Sequence, residues 1–208
     1  APHDKDFTLI NYFIGKGLDI KSTDANGNTA FNYAARTGNI TTLKRLLEKG
    51  VTFNDNAMIF ASQGTRSTAN TLELYQYLES LKIKPTAVSK NGQNALHAIV
   101  RKDKQEDIIK YFIEKGVDIN QADHDGTTAF MNAAMANSDV AVINLLAASV
   151  KNINQVNKKG ISALALAVRS NTPEVVRLLI QKGADVNVAD ANGDNLAYYL
   201  IQSYNPQK

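Results

Sequence analysis

Residues 173–183 read Pro173-Glu174-Val175-Val176-Arg177-Leu178-Leu179-Ile180-Gln181-Lys182-Gly183, an apolar pattern at helical spacing that stops at a glycine. A glycine in this place suits the left-handed conformation that commonly ends an α-helix. The same kind of ending recurs along the chain, at Gly17, Gly50, Gly116 and Gly183. The separations between these glycines are 33, 66 and 67 residues, which indicate a structural repeat of about 33 residues.

A second series of glycines runs in phase with the first, at Gly27, Gly92, Gly126, Gly160 and Gly193. Two phased glycines in each repeat indicate two turns in each repeat. In four of the units a Thr, Asn or Ser then leads a run of small and apolar residues, at Thr29, Asn94, Thr128 and Ser162. Such a side chain can accept a hydrogen bond from the first turn of a helix, so a short helix is predicted to begin there. Each unit is therefore predicted to be a pair of helices.

Together these patterns resemble the ankyrin repeat family, whose units combine a glycine turn, a Thr-Pro-Leu-His-x-Ala-Ala helix start and a Leu-Leu-Leu-x-x-Gly-Ala-Asp-Val-Asn ending. The unit from Asn157 to Asn187 carries the clearest copy, and the resemblance covers nearly the whole chain. It implies an all-α solenoid of stacked helix-turn-helix units with short β-hairpin fingers. The implied single domain, residues 1–208, divides into units at about 1–23 (partial), 24–54, 55–88 (divergent), 89–122, 123–156, 157–189 and 190–208 (a C-terminal cap).

The sequence departs from the family pattern in three ways. Alanine replaces the family's proline at the first helical position of four units, which keeps the helix start but gives up a fixed backbone angle. The family's histidine is present only as His97, so the hydrogen bonds between loops that are typical of the family are expected to be partly lost. In the second unit, residues 51–56 lead almost directly into the apolar run 57–61. We expect this unit to lack a finger and to have a longer connection over residues 63–70.

The two ends of the chain differ from the units between them. Residues 7–14 align with the second helix of a unit, but only six residues precede Phe7. A terminal repeat normally has a polar outer face. One hypothesis is a fragment cut from a longer chain, and the other is a native N-terminal cap of one helix. At the opposite end, the final helix with Tyr198, Tyr199 and Tyr204 is interpreted as a C-terminal cap.

Composition excludes several classes of protein. The chain has 208 residues, of which 44% are hydrophobic and 21% charged, as in an ordinary folded protein. Its formal net charge of +3 is too small to indicate nucleic acid binding. The absence of cysteine excludes disulfides, a thiolate nucleophile and cysteine-ligated zinc. The apolar runs are too short for a membrane span. The compartment stays open, with the cytoplasm as first choice and a periplasmic or secreted location as the alternative.

Neither a metal site nor a catalytic site is predicted. The three histidines, His3, His97 and His124, lie in different units, and units of a solenoid contact only their neighbours. His97 is interpreted as structural. Residues 123–126 and 190–194 have acidic spacing similar to calcium loops, but lack the glutamate that such loops require, and hairpin tips are the better interpretation. Signatures of a serine nucleophile elbow, a phosphate loop and a dinucleotide site are absent from the sequence. No cofactor is predicted.

The resemblance also implies where a partner would bind. In ankyrin-like proteins the groove is formed by the fingers and the exposed side of the first helices, and it mostly holds other proteins. The candidate partner-binding residues at these positions are Arg36, Lys90, Arg101, Lys102, His124, Met135, Lys158, Lys159 and Arg169. If the units stack regularly, Arg36, Arg101 and Arg169 line one stripe that would attract an acidic protein segment. The alternative is a set of solvated charges that complement helix dipoles.

The sequence thus predicts a noncatalytic, monomeric protein-interaction module whose partner is a protein, with no nucleic acid bound and no membrane insertion. Two other classes stay open. One is a regulatory or targeting segment of a larger enzyme or membrane-associated protein, and the other is an enzyme in its own right, which would require a convergent polar cluster in a pocket.

Overall fold

Helices dominate the structure, a computed structural model that describes residues 7–65 and 69–204. Within these ranges the helices are α1 (Thr8–Gly15), α2 (Ala30–Ala35), α3 (Ile40–Glu48), α4 (Asn56–Gln63), α5 (Leu72–Ser80), α6 (Leu96–Ile99), α7 (Glu106–Glu114), α8 (Ala129–Ala136), α9 (Val140–Ala147), α10 (Ala163–Ser170), α11 (Pro173–Gln181) and α12 (Leu196–Ser203). In the same ranges β pairing is limited to three isolated bridges at the bases of hairpin turns. The predicted all-α repeat architecture is confirmed.

The helices form two layers. The first helices of the units (α2, α4, α6, α8, α10 and α12) each contact the next one, which makes a continuous row. The second helices (α3, α5, α7, α9 and α11) each pack on the first helix of their own unit. Because each unit touches mainly its neighbours, the molecule is a stack of helix pairs, as in other solenoids.

A single apolar cluster runs through the stack between the two layers. The largest fully buried side chains come from successive units and include Phe31, Leu43, Met58, Tyr75 and Phe112. A lone helix pair could not cover these side chains, and each unit buries the apolar side of the next. The small and large apolar residues of α8 and α10 fit this arrangement, since six of the eight residues of α8 and five of the eight of α10 are buried.

The predicted helix starts are confirmed in three units. The side chains of Thr29, Thr128 and Ser162 each accept a hydrogen bond from the backbone N–H three residues on. The fourth, Asn94, also accepts from a backbone N–H, but that of Leu96, and α6 begins one residue later than the pattern indicates. Helix α6 has four residues and is the shortest of the described helices.

The second unit has no finger. Helix α3 ends at Glu48 and α4 begins at Asn56, and the segment between them runs along the base of the preceding turn. The carbonyl of Thr52 accepts from the Thr29 hydroxyl at 2.7 Å, and the side-chain amide of Asn54 donates to the Gly27 carbonyl at 2.7 Å. The later connection, between Gln63 and α5 at Leu72, contains residues 66–68, which lie outside the described residues.

Both ends of the described stack expose apolar side chains. Leu9, Tyr12 and Phe13 of α1 are each more than half exposed, and Ile201 of α12 is 70% exposed. Residues 1–6, which include His3, and residues 205–208 lie outside the description. The fragment and cap hypotheses for the two ends stay predictions. None of the described helices combines the length and apolar character needed to cross a membrane.

Candidate protein-binding surface

The fingers are tight turns that their own side chains hold together. In the finger at residues 123–128, the Asp123 carboxylate accepts from the backbone N–H groups of Asp125 and Thr127 at 3.0 and 2.9 Å. Gly126 has a φ of 77°, which only glycine adopts at no cost. Equivalent bonds form at Asp24, Asn157 and Asp190. These Asp and Asn side chains therefore stabilise the turns, as the hairpin interpretation predicted for residues 123–126 and 190–194. In the described ranges no cluster of His, Asp and Glu side chains suits a metal ion.

Four of the fingers, at residues 89–94, 123–128, 157–162 and 190–195, stack on one another and are called the stacked fingers below. A backbone N–H of each later finger donates to a carbonyl of the one before it, from His124 to Asn91, from Lys158 to Asp125 and from Ala191 to Lys159, each at 2.9 Å. This ladder fixes the spacing of the finger tips. It presents the side chains of Lys90, Lys158 and Lys159 to solvent.

His97 links α6 to the next finger, at residues 123–128, through hydrogen bonds. Its ring is 2% exposed, Nδ1 accepts from the Asn94 backbone N–H at 3.2 Å, and Nε2 lies 3.2 Å from the Thr127 carbonyl. Nδ1 also lies 2.9 Å from the Asn94 side-chain oxygen, so both ring nitrogens have polar partners within the fold. The structural interpretation of His97 is thus confirmed. At the equivalent position of the first full unit, Asn32 bonds instead to the Asn54 side chain at 2.6 Å, whereas Met131 and Ala165 have no polar side-chain atom to offer a loop.

The pH dependence of stability should report on His97. Burial lowers the pKa of this imidazole, although the Thr127 carbonyl and the nearby Asp123 carboxylate favour the charged form. The unfolded chain therefore takes up more protons than the folded protein as the pH falls through about 6.5, and the free energy of unfolding decreases. Urea unfolding at pH 7.5, 6.5 and 5.5 should show this loss, and a His97→Asn variant should show a smaller one. An identical pH profile for both proteins would contradict the assignment.

The three arginines of the predicted stripe have different surroundings. Arg36 follows α2, donates to the Gln63 side chain and stacks on Phe60, with its Cζ atom 5.1 Å from the ring centroid. Arg101 is exposed just after α6, and Arg169 lies in α10 with its Cζ atom 6.0 Å from the Tyr199 ring centroid.

Along the stack these arginines are two units apart from one another. At about 8–10 Å between packed helices, neighbouring arginines lie about 16–20 Å apart. This distance is greater than the Debye length of about 8 Å in physiological salt. At this spacing we expect each arginine to act separately on a partner.

Two other candidate residues are less accessible than the sequence indicated. Lys102 is half-buried, its Nζ atom lies 3.4 Å from the Thr65 carbonyl, and partial burial lowers its pKa. Met135 is half-buried and packs against the core. The exposed candidates at the finger tips are Lys90, His124, Lys158 and Lys159. The salt bridges of the described residues, Lys110–Glu106, Lys115–Glu79 and Arg177–Glu174, involve none of the candidates.

Arg36 and Lys90, which the sequence placed on the stripe and near its rim, line one cavity that the sequence did not predict. Both line a cavity of about 250 Å³ between the first finger (residues 24–29) and the stacked fingers, here called the notch. Asn26, Asn28, Tyr33 and Phe60 are among its other lining residues. The missing finger of the second unit was the signal that could have located it, since a gap in a row of stacked fingers leaves an open slot.

Comparisons with known proteins agree with the architecture. The family model described as ankyrin repeats (3 copies) matches residues 1–78, 67–152, 96–190 and 130–207. A putative ankyrin repeat protein of Acanthamoeba polyphaga mimivirus is 23% identical over 209 aligned residues, which cover 93% of this chain and 26% of that protein. The NF-kappa-B p105 subunit of Rattus norvegicus is 32% identical over 104 residues, which cover 47% of this chain and 10% of that protein.

A third relative is a putative ankyrin repeat protein of fowlpox virus, 33% identical over 104 residues, which cover 49% of this chain and 30% of that protein. The chain thus spans between a tenth and a third of the length of these curated relatives. The family resemblance read from the glycine series is confirmed by the family match.

Proposed function

The chain belongs to the ankyrin repeat family, and from that premise we propose that it is a noncatalytic module that binds a partner protein through its fingers and the exposed ends of its first helices. Ankyrin repeats are generally protein-protein interaction modules, and the family is generally noncatalytic. The observation that carries the proposal is the ladder of stacked fingers, which holds exposed side chains at fixed spacing on a rigid frame. Preorganised side chains of this kind lose little freedom when a partner binds.

The charges at the finger tips favour a partner with an acidic segment. The carboxylates of Asp24, Asp123 and Asp190 face the N–H groups of their own turns, so they contribute less to the field at the tips. Lys90 stands on one stacked finger and Lys158 and Lys159 on another, all exposed. Asp125 and Asp194 belong to the other two stacked fingers, so the basic residues are confined to the fingers at residues 89–94 and 157–162. A partner that places carboxylates at those two fingers gains charge-assisted hydrogen bonds.

Charge reversal should distinguish a binding surface from solvated charges. The partner is first isolated with the full chain, and its affinity is then measured against salt concentration for the wild type, for Arg101→Glu with Arg169→Glu, and for Lys158→Glu with Lys159→Glu. We expect the lysine pair to weaken binding by about tenfold or more and to reduce the salt dependence, because adjacent charges reinforce each other. The separated arginines should have a smaller effect.

The matched control is Arg177→Glu on α11, where the side chain is exposed and its ion pair with Glu174 at 3.3 Å contributes little to stability. Unchanged affinity and salt dependence in both double variants would show that the basic residues are only solvated charges. Sedimentation equilibrium of the free chain tests the further proposal that the module is a monomer.

A second candidate function is a regulatory or targeting segment within a longer protein. The observation in its favour is the share of the relatives that the chain covers, about a quarter for the mimivirus protein. The length of the native gene product decides between the two candidates. A product with an additional catalytic or membrane-associated region supports the second.

A further inference from the structure

The backbone hydrogen bond that joins neighbouring stacked fingers is missing on both sides of the notch. In those fingers the carbonyls of Asn91, Asp125 and Lys159 each accept from the backbone N–H of the next finger. The residue that corresponds to them in the first finger is Asn26, and its carbonyl accepts no hydrogen bond within the described residues. On the other side of the notch, the backbone N–H of Lys90 likewise has no acceptor in that part of the chain, although its counterparts His124, Lys158 and Ala191 all have one.

Asn26 and Lys90 both line the notch, so the residues that carry the unmatched acceptor and the unmatched donor lie on its two sides. The first finger itself is an ordinary turn, in which the Asp24 carboxylate accepts from the N–H groups of Asn26 and Asn28. Its Gly27 has a φ of 76° and open space where a Cβ atom would stand, whereas Gly126 and Gly160 abut the next finger. The slot thus has the position and the hydrogen-bonding groups of one missing finger.

The side chains around the notch favour an acidic occupant. Arg36 and Lys90 line it, and neither Asp nor Glu is among its lining residues in the described structure. The nearby Asp24 carboxylate is already occupied by Asn28 at 3.0 Å and by the Tyr33 hydroxyl at 2.7 Å, and the Asn28 hydrogen bonds hold its pKa well below the usual range. An acidic segment in the notch would therefore have Arg36 on one side and Lys90 on the other.

Arg36 is held in place for such an interaction. Its guanidinium stacks on Phe60, and the Phe60 ring meets Tyr33 edge to face with centroids 4.8 Å apart. The Gln63 side chain accepts one of its N–H groups and leaves the others available. A planar guanidinium fixed in this way suits bidentate recognition of a carboxylate. The cavity of about 250 Å³ has the volume of about eight water molecules, which is enough for one side chain with part of a turn.

We propose that the notch receives a tight turn of the partner protein, which completes the finger ladder by donating an N–H to the Asn26 carbonyl and accepting from the Lys90 N–H, and which sets an Asp or Glu carboxylate against Arg36 and Lys90. This inference rests on the proposed function and adds the shape and charge of the segment recognised. A turn is required because its two sides offer a donor and an acceptor at the spacing of the other fingers.

The chain itself supplies suitable probes. Residues 189–196 form an acidic finger, and residues 156–163 form a basic finger with the same bridge at its base. Both are prepared as head-to-tail cyclic peptides, together with a neutralised version of the acidic peptide that carries Asp190→Asn and Asp194→Asn, since Asn157 makes the same turn hydrogen bonds in the basic finger. Each peptide is titrated into the ¹⁵N-labelled full chain and followed by NMR. Before any peptide is added, the Lys90 amide should exchange with deuterium faster than the amides of Lys158 and Ala191.

We expect the acidic peptide to bind about tenfold more tightly than the basic one, with the neutralised peptide in between. The shifts should centre on Asn26, Arg36 and Lys90, and the Lys90 amide should become protected from exchange. Arg36→Gln and Lys90→Gln should each weaken binding severalfold. The matched control is Lys158→Gln, because it changes the same finger position where the neighbouring slot is already filled, and it should have no effect.

Two results would overturn the inference. One is the absence of shifts at the notch at millimolar peptide, and the other is equal binding of the acidic and basic peptides. The peptide titration needs no partner protein, so the two proposals fail separately. If a partner protein binds without shifting the notch resonances, only the notch proposal is refuted. If the chain binds the acidic peptide but no protein, the proposed function is refuted.

Discussion

Gly160→Ala is expected to lower the free energy of unfolding by about 3 kcal/mol. Gly160 has a φ of 73°, where an L-residue costs about 1–2 kcal/mol. A Cβ atom there would also lie 2.6 Å from the backbone nitrogen of Ala191, which belongs to the next finger. The two fingers would have to separate and lose the bond from Ala191 to Lys159, a further loss of about 1 kcal/mol. Urea unfolding followed by circular dichroism measures the difference.

Gly27→Ala is the matched control for this change. Its φ of 76° is nearly the same, but nothing lies within 4 Å of the added Cβ atom because the next finger is missing. This variant should lose only the backbone contribution, about 1–2 kcal/mol. Equal losses at Gly160 and Gly27 would mean that the fingers do not touch as described.

Asn137→Ala is expected to cost about 3 kcal/mol. The side chain is fully buried, and its amide donates to the carbonyls of Val100 at 2.8 Å and Lys102 at 3.1 Å in the preceding unit. Its oxygen accepts from the Asp139 backbone N–H at 2.8 Å. Alanine removes the partner of all three backbone groups. The bond to Val100 is buried, where an unsatisfied group costs about 1–3 kcal/mol, and the two part-buried bonds add about 1 kcal/mol together because water replaces them in part.

Asn144→Ala provides the comparison, because Asn144 lies on the exposed side of α9. Its replacement should change the unfolding free energy by no more than about 0.5 kcal/mol. The denaturant dependence of both variants should match the wild type, so that differences in midpoint report stability alone. An Asn137 variant as stable as the Asn144 variant would show that the loop carbonyls find other partners.

Asn137 belongs to a set of buried or half-buried asparagines that were not predicted from the sequence. Asn70 donates to the carbonyls of Ala35 and Ala61, and Asn171 donates to those of Ala134 and Asn137. Each amide thus joins the end of one first helix to the unit that follows. The three asparagines are 67 and 34 residues apart, in phase with the repeat, so the glycine periodicity contained the signal needed to find them.

Local features of the chain were sufficient to predict the helix pairs and the turns. A glycine with positive φ, a Thr or Ser at a helix start and apolar residues at helical spacing act through bonds within a few residues, so they can be read without knowing the fold. The missing second finger was predicted in the same way, because residues 51–56 lead directly into the apolar run 57–61. In the structure seven residues separate α3 from α4.

Which candidate residues lie close together and which are exposed could be determined only from the tertiary structure. Arg36 and Lys90 are 54 positions apart in the chain and share one cavity because an intervening unit has no finger to keep them apart. The arginines that share a position in the repeat are separated by whole units, and Lys102 and Met135 are partly covered by their neighbours. Periodicity assigns a residue to a place within its unit, whereas distances between units follow from how the units stack and from which fingers are present to fill the space.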